Sequence, residues 1–364
     1  MSSDSVLAQI RRFAGWRQIT LPLVAAALAL DVAGGHPLLA FTASALALVP
    51  LAGLLGHATE ELAGHVGPAA GGLLNATLGN LTELIIGVLA LSRGEVEVVK
   101  ASITGSIIGN LLLVFGLAAF LGGLGRQKLS FSSVAVGANA SMLFLGVVAL
   151  VMPALFQLSV FGSLEASGTR IQHLSLWVSG VLLASYVASL VFILRTHRSL
   201  FRGEARQHPT FGRSAALAVM VASAALVAVS SEVLVGQVQA VTESFGWTRL
   251  FVGLVVVATV GNAAEHSTAI LAARAGRMDL SLHIAMGSST QIALFVAPLL
   301  VALSPLLGAP MSLVFQPLEI AAVILSVGAV VVVAMDGETN WLEGLMLLGV
   351  YVVLAVFFYV LPGG

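Results

Sequence analysis

The chain runs to 364 residues, of which 58% are hydrophobic and 9% charged, with a formal net charge of −1. Soluble domains carry about 25% charged residues, so water is excluded as the solvent for most of this surface, and the near-neutral balance points to no nucleic acid. There is no cysteine, which removes disulfides, thiolate metal sites and thiol nucleophiles together.

The N-terminal segment is polar and carries Arg11, Arg12 and Arg17. The apolar run that follows, 18–34, has the position of a secretory signal. It holds Asp31, however, and ends in AGGHP without a small-x-small cleavage site, which favours an uncleaved first helix. Further apolar runs between Gly, Pro and charged punctuation predict helices over 37–57, 72–92, 97–124, 131–155, 174–196, 214–243, 251–274, 280–304, 313–335 and 341–360. The last run, WLEGLMLLGVYVVLAVFFYV, is continuously apolar where a transmembrane β-strand would alternate. The expected fold is an all-α polytopic membrane protein of about 11 transmembrane helices.

Placing the N-terminus in the cytoplasm puts Arg11, Arg12, Arg17, Arg126, Lys128, Arg195, Arg198, Arg202, Arg206, Arg213, Arg274 and Arg277 on that side. Only Arg93, Lys100, Arg170 and Arg249 then fall outside, which is a strong positive-inside bias. An odd helix count sends the C-terminus outside. The short loops suit a prokaryotic inner (plasma) membrane, with an organellar membrane as the alternative.

The longest cytoplasmic loop, RTHRSLFRGEARQHPTFGRS, divides the helices into one, five and five. Sliding the chain over itself by 182 residues aligns Glu61 with Glu243, Gly79 with Gly261, Asn80 with Asn262, Glu83 with Glu265, Gly94 with Gly276, Gly105 with Gly287 and Ser106 with Ser288. A matching Gly-Asn-x-x-Glu, followed in each copy by a matching Gly-Ser, identifies an internal repeat. The expected organisation is 1–35 as N-terminal segment and extra helix, 36–196 as the first five-helix repeat, 197–213 as a basic linker and 214–364 as the second repeat. Five helices between equivalent positions make the second copy enter the membrane from the opposite side. Inverted repeats of this kind mark secondary transporters, whose substrate sites lie near the midplane where the two copies meet.

Glu83 and Glu265 sit in the middle of apolar runs, where a charge costs about 2.5–3.5 kcal/mol on insertion scales. No Lys or Arg occurs at similar depth, so each carboxyl is expected to be protonated, bound to a cation or facing a wet cavity. Asn80 and Asn262 lie three residues before them, which puts amide and carboxylate on one helical face. Gly79, Gly87, Gly261 and Ala269 flank the glutamates and allow close helix approach. Ser106 with Asn110, and Ser288 with Gln291, add oxygen ligands from the following helices. Such a hard, oxygen-rich set suits calcium rather than zinc or copper. His266, beside Glu265, fits a structural or proton-binding role better than ligation. Glu60 and Glu61 are candidates for attracting cations. Asn75 is a candidate for the same cavity, Glu232 for cavity lining or helix packing, and Asp31 and Glu319 for helix ends or polar seams. Gly105, Gly109, Gly287 and Pro298 are candidate bending points.

The segments GNLTELIIGVLALSRGEVEVVKASITGSIIGNLLLVFGLAAFLGG and VGNAAEHSTAILAARAGRMDLSLHIAMGSSTQIALFVAPLL resemble the two repeat motifs of calcium/proton antiporters, within the cation/calcium exchanger superfamily. The resemblance implies alternating access, with Ca2+ leaving the cytoplasm in exchange for H+ at Glu83 and Glu265. It also implies ligand roles for Asn80, Ser106, Asn262, Ser288, Gln291 and backbone carbonyls near Gly261. In several members of that family the central loop contains or is followed by an acidic stretch; here the loop is basic, which gives no support to a calcium sensor there. A Na+/Ca2+ or other divalent cation exchanger is the rival reading, and a cation channel a more distant one. No metal-ligand His cluster, nucleophile with base or phosphate-cradling loop suggests an enzyme, and no cofactor is expected beside the transported Ca2+. The lipid bilayer is the expected surrounding, and a homo-oligomer is compatible with the sequence.

Overall fold

In lipid every backbone N–H and C=O must find its partner within the chain, and the apolar runs accordingly fold as helices. A computed structural model describes residues 14–162, 169–196, 209–210 and 212–361. The helices are α1 (Ala14–Val32), α2 (Pro37–His65), α3 (Pro68–Leu78), α4 (Leu81–Ser92), α5 (Val96–Gly123), α6 (Ser133–Phe161), α7 (Thr169–Val191) and α8 (Arg213–Gly236). They continue with α9 (Val238–Phe245), α10 (Arg249–Gly261), α11 (Ala263–Arg274), α12 (Met278–Leu307), α13 (Pro317–Ala334) and α14 (Trp341–Val360). Arg11, Arg12, Arg198, Arg202 and Arg206, and most of the predicted 197–213 linker, lie outside the described residues.

Among the described residues eight helices are long and apolar enough to cross a membrane, or ten if each of two bent pairs is one span. The bent pairs are α3 with α4, at 40°, and α9 with α10, at 118°; Thr20–Val32 is a shorter apolar helix. Every predicted apolar segment is therefore helical, and the molecule is a membrane protein. Three predicted helices are interrupted. The run 72–92 breaks at Gly79–Asn80, 251–274 at Asn262, and 214–243 at Gly236–Gln237. The first two breaks fall one repeat apart and precede the two glutamates.

Contacts divide the chain into two compact units. The first comprises Met1–Arg93, Leu190–Trp247 and Val260–Ala264; the second comprises Gly94–Ser189, Thr248–Thr259 and Glu265–Gly364. Each unit draws on both predicted repeats. In the first, α2 packs between α1 and α8, with Leu48, Leu51 and Leu55 fully buried. In the second, α5 is the central helix. Its best apolar window is 83% buried, against 17% for Thr169–Thr196 and Trp341–Val360, whose flanks face outward with Trp177, Val353 and Phe357 exposed. Large apolar side chains on the outside are expected where lipid replaces water.

Backbone features repeat along with the sequence. Gly94 (φ 76°) ends α4 and Gly276 (φ 82°) ends α11, each in the left-handed region that a side chain avoids. Both central helices also carry a π-turn at matching places, Gly109–Val114 in α5 and Ile292–Val296 in α12. Gly109 coincides with the start of this irregular turn, within a helix that runs unbroken from Val96 to Gly123. Gly105 has another role. A Cβ there would lie 2.1 Å from the Leu254 carbonyl oxygen of α10, so this glycine lets two backbones touch. Gly253 meets Ala101 and Val98 on the facing side of the same contact.

Candidate functional site

In the first unit, the interruption at Gly79–Asn80 makes Asn80 the N-cap of α4 and places Glu83 in the first turn of that helix. A carboxylate there faces the unsatisfied N–H groups and the positive dipole end of the helix. Asn80 is fully buried, and Oε2 of Glu83 has no accessible surface. Gly261 lies against this carboxyl: a Cβ on Gly261 would sit 4.0 Å from Glu83 Oε1 and 3.6 Å from Ile86 Cδ1. Asn262, at the equivalent interruption, is 1% exposed.

In the second unit, Glu265 occupies the first turn of α11 and accepts a hydrogen bond from Ser288 of α12. Ser288 Oγ in turn accepts from Asn110 Nδ2 at 3.0 Å, and Asn110 Oδ1 lies 3.1 Å from His266 Nε2. These contacts fix the direction of the chain. His266 Nε2–H donates to the Asn110 carbonyl, the Asn110 amide donates to Ser288, and the Ser288 hydroxyl donates to Glu265. Asn110 belongs to the π-turn of α5, an irregularity that re-aims side chains and recurs at functional sites. Ser106 is buried on the preceding turn, and Gln291 is half-buried just ahead of the π-turn of α12. The remaining oxygen of the Glu265 carboxyl, Oε2, is buried and has no hydrogen-bond partner among the described residues. A buried acceptor of that kind is expected to take a proton or a cation.

The predicted site residues therefore gather as Glu83 with Gly261, and as Glu265 with Ser288, Asn110 and His266. His266 and Asn110 were singled out separately, and their direct contact is visible only in three dimensions. The contact places His266 at the far end of the donor chain that leads through Asn110 and Ser288 to Glu265.

Most of the other polar residues singled out have structural partners. Glu232 Oε1 accepts from Arg93 Nε at 3.1 Å and from Nη2 at 2.5 Å, which ties the end of α4 to α8. Asp31 accepts from Gln237 at 2.8 Å. Glu319 stands at the first turn of α13, accepts from Thr104 at 2.7 Å and caps Gln316. Glu61 accepts from both the amide and the hydroxyl of Thr210, each at 2.8 Å, whereas Glu60 is exposed. Asn75 is exposed as well. Lys100 leaves the helix face to bond the Val314 carbonyl at 2.6 Å and lies over the Phe315 ring.

A family model described as "Sodium/calcium exchanger protein" matches residues 36–195 and 215–360, both predicted repeats. The chain is 46% identical over 341 residues to a protein of Synechocystis sp. named "Ca(2+)/H(+) antiporter", covering 88% of this chain and 91% of that one. It is 40% identical over 350 residues to "Ca(2+)/H(+) antiporter ChaA" of Bacillus subtilis, covering 93% and 98%. Among solved structures, that of native YfkE superposes with a TM-score of 0.83 at 36% identity, covering 95% of this chain and all of that one. With both glutamate motifs inside matches that run nearly its whole length, the chain belongs to the sodium/calcium exchanger protein family.

Proposed function

We propose that this chain is a secondary active transporter that exchanges cytoplasmic Ca2+ for H+ by alternating access, with Glu83 and Glu265 binding protons in one half-cycle and Ca2+ in the other. The observation that carries the reading is the buried Glu265 carboxyl, held by one Ser288 hydroxyl with its second oxygen unpartnered, in a helix-start motif that recurs at Glu83. The names of the antiporter relatives support the same ions.

Ca2+ takes six to eight oxygen ligands in flexible geometry. The carboxylates of Glu83 and Glu265, the side-chain oxygens of Asn80, Asn262, Ser106, Ser288, Gln291 and Asn110, and backbone carbonyls near Gly261 are the proposed donors. Two protons or one Ca2+ neutralise two carboxylates equally, whereas the empty carrier would expose two bare charges to a low dielectric. That difference couples the fluxes, since only loaded states cross readily. Because Ca2+ requires the deprotonated carboxylates, lowering the pH weakens Ca2+ binding. We assign the N-terminus to the cytoplasm, the C-terminus to the outside of a prokaryotic inner membrane, and the eleven apolar segments to one extra helix plus two inverted five-helix repeats.

The test is Ca2+ uptake into proteoliposomes under an imposed pH gradient, with a sodium gradient in parallel. Uptake driven by the proton gradient alone is expected. Uptake requiring sodium would move the protein to the sodium-coupled reading, and flux without either gradient would make it a channel.

Ser288→Ala should raise the Ca2+ concentration for half-maximal uptake about tenfold. It removes the hydroxyl that donates to Glu265 among the described residues, and at the lower end of the about 1–3 kcal/mol that such a bond is worth this is about tenfold in affinity. Ser288→Thr keeps the hydroxyl and should stay near wild type. Wild-type behaviour of the alanine variant would remove Ser288 from the set.

A further inference from the structure

Where α5 and α11 end, the second unit has a cleft of about 490 Å3 lined by Leu121, Leu124, Gly125, Arg126 and Arg274. Arg126 is pinned there by backbone. Its Nη1 donates to the Gly122 carbonyl at 2.7 Å and the Ala273 carbonyl at 3.4 Å, and its Nη2 to the Arg274 carbonyl at 3.2 Å. A guanidinium has five N–H donors, so its Nε–H and one Nη2–H remain for another acceptor. The Arg274 side chain is exposed and has no hydrogen bond or ion pair among the described residues. The ion pairs of His57 with Glu61, Arg93 with Glu232, Lys128 with Glu338 and Arg249 with Glu95 do not include a residue of this cleft. Two guanidiniums thus line one concave site that has no carboxylate among its described lining residues, although the fold supplies carboxylates to other cations at its surface.

The apolar part of the site is equally specific. Leu124 is 54% exposed at the rim, and Leu271, one turn before Arg274, is 64% exposed. Leu124 directly follows α5, one of the helices long and apolar enough to cross a membrane, and Leu271 lies on the last turn of α11. Charge, concavity and adjacent bare leucines match a phosphate joined to acyl chains, and basic pockets between transmembrane helices take anionic headgroups for these reasons. Ca2+ is repelled from the same place, which separates it from the transport site.

We propose that this cleft binds the headgroup of an anionic phospholipid, its phosphate held between Arg126 and Arg274 and its chains lying over Leu124 and Leu271. Arg126, fixed by three carbonyls, is the preorganised half of the site; Arg274 is the half that closes on the ligand.

The experiment uses the full chain purified in mild detergent without Ca2+. Lipid retention is followed by native mass spectrometry and thermal unfolding during titration with phosphatidylglycerol, phosphatidylcholine or inorganic phosphate. The wild type is expected to retain phosphatidylglycerol in preference to phosphatidylcholine and to be stabilised by it. Arg274→Gln, which keeps the backbone acceptor of Arg126 and removes only a free side chain, should weaken that retention about fivefold. Arg170→Gln carries the same charge change outside the cleft and should match the wild type. Equal retention of both lipids, or an Arg274→Gln variant that retains phosphatidylglycerol like the wild type, would overturn the proposal. So would stabilisation by inorganic phosphate alone that depends on Arg274, because the ligand would then be a soluble anion.

Discussion

Replacing either glutamate by glutamine, Glu83→Gln or Glu265→Gln, is expected to abolish proton-driven Ca2+ uptake while leaving the protein folded. Glutamine is nearly isosteric, and at position 265 its carbonyl still accepts from Ser288, so the donor chain from His266 through Asn110 keeps its terminus. What disappears is the charge. Removing one partner of a buried ion pair costs about 3–5 kcal/mol, more than about a hundredfold in affinity. A hard divalent ion has little to gain from the remaining neutral amides and hydroxyls. The neutral side chain also resembles the protonated carboxyl permanently, so the variant has no proton to release to the opposite side. The measurement is initial uptake in proteoliposomes at matched reconstitution, with thermal unfolding in detergent as the folding control. Ca2+ exchange retained by both folded variants would remove the glutamates from the mechanism.

These two residues were legible because the repeat compares the chain with itself. Glu83 and Glu265 stand out as charges in apolar runs, and the 182-residue offset, which also pairs Asn80 with Asn262 and Ser106 with Ser288, turns two oddities into one pattern. The membrane-spanning helices were legible for a related reason, since hydropathy reports the solvent directly. What hydropathy conceals is interruption. Gly79–Asn80 and Gly261–Asn262 lie inside runs apolar enough to read as continuous helices, yet each Asn sits where one helix stops and the next begins. Contacts between distant segments were out of reach altogether. Arg93 and Glu232 are 139 residues apart in the chain, and because the repeat mate of Glu232 is Pro50, symmetry offered no hint of the pair. The partnership of His266 with Asn110 was hidden in the same way, although both residues had drawn notice. Glycine was ambiguous for a different reason, since one residue type marks bends, turns and close contacts alike.

That ambiguity gives the second large effect, because Gly105 and Gly287 are repeat mates with opposite surroundings. A Cβ at Gly105 would lie 2.1 Å from the Leu254 carbonyl oxygen and 2.5 Å from its Cα, whereas a Cβ at Gly287 meets nothing within 4 Å. Neither residue has a positive φ, so the backbone conformation itself admits alanine at both. The difference is contact alone. For Gly105→Ala, the obstacle is main chain and cannot rotate away, so α5 and α10 must separate. That separation also opens the reciprocal contact of Gly253 with Ala101. Overpacking of this kind costs up to about 3 kcal/mol. Gly287→Ala should instead be neutral or slightly stabilising, since alanine is the better helix former by about 1 kcal/mol. Thermal unfolding in detergent should therefore place Gly105→Ala well below the wild type and Gly287→Ala at or above it. Equal transitions for the two would mean that α5 and α10 do not touch at Gly105. Because α5 carries Ser106 and Asn110, the same separation would shift ligands proposed for Ca2+. A Gly105→Ala protein that survives purification is thus expected to lose Ca2+ affinity as well as stability, while Gly287→Ala keeps both.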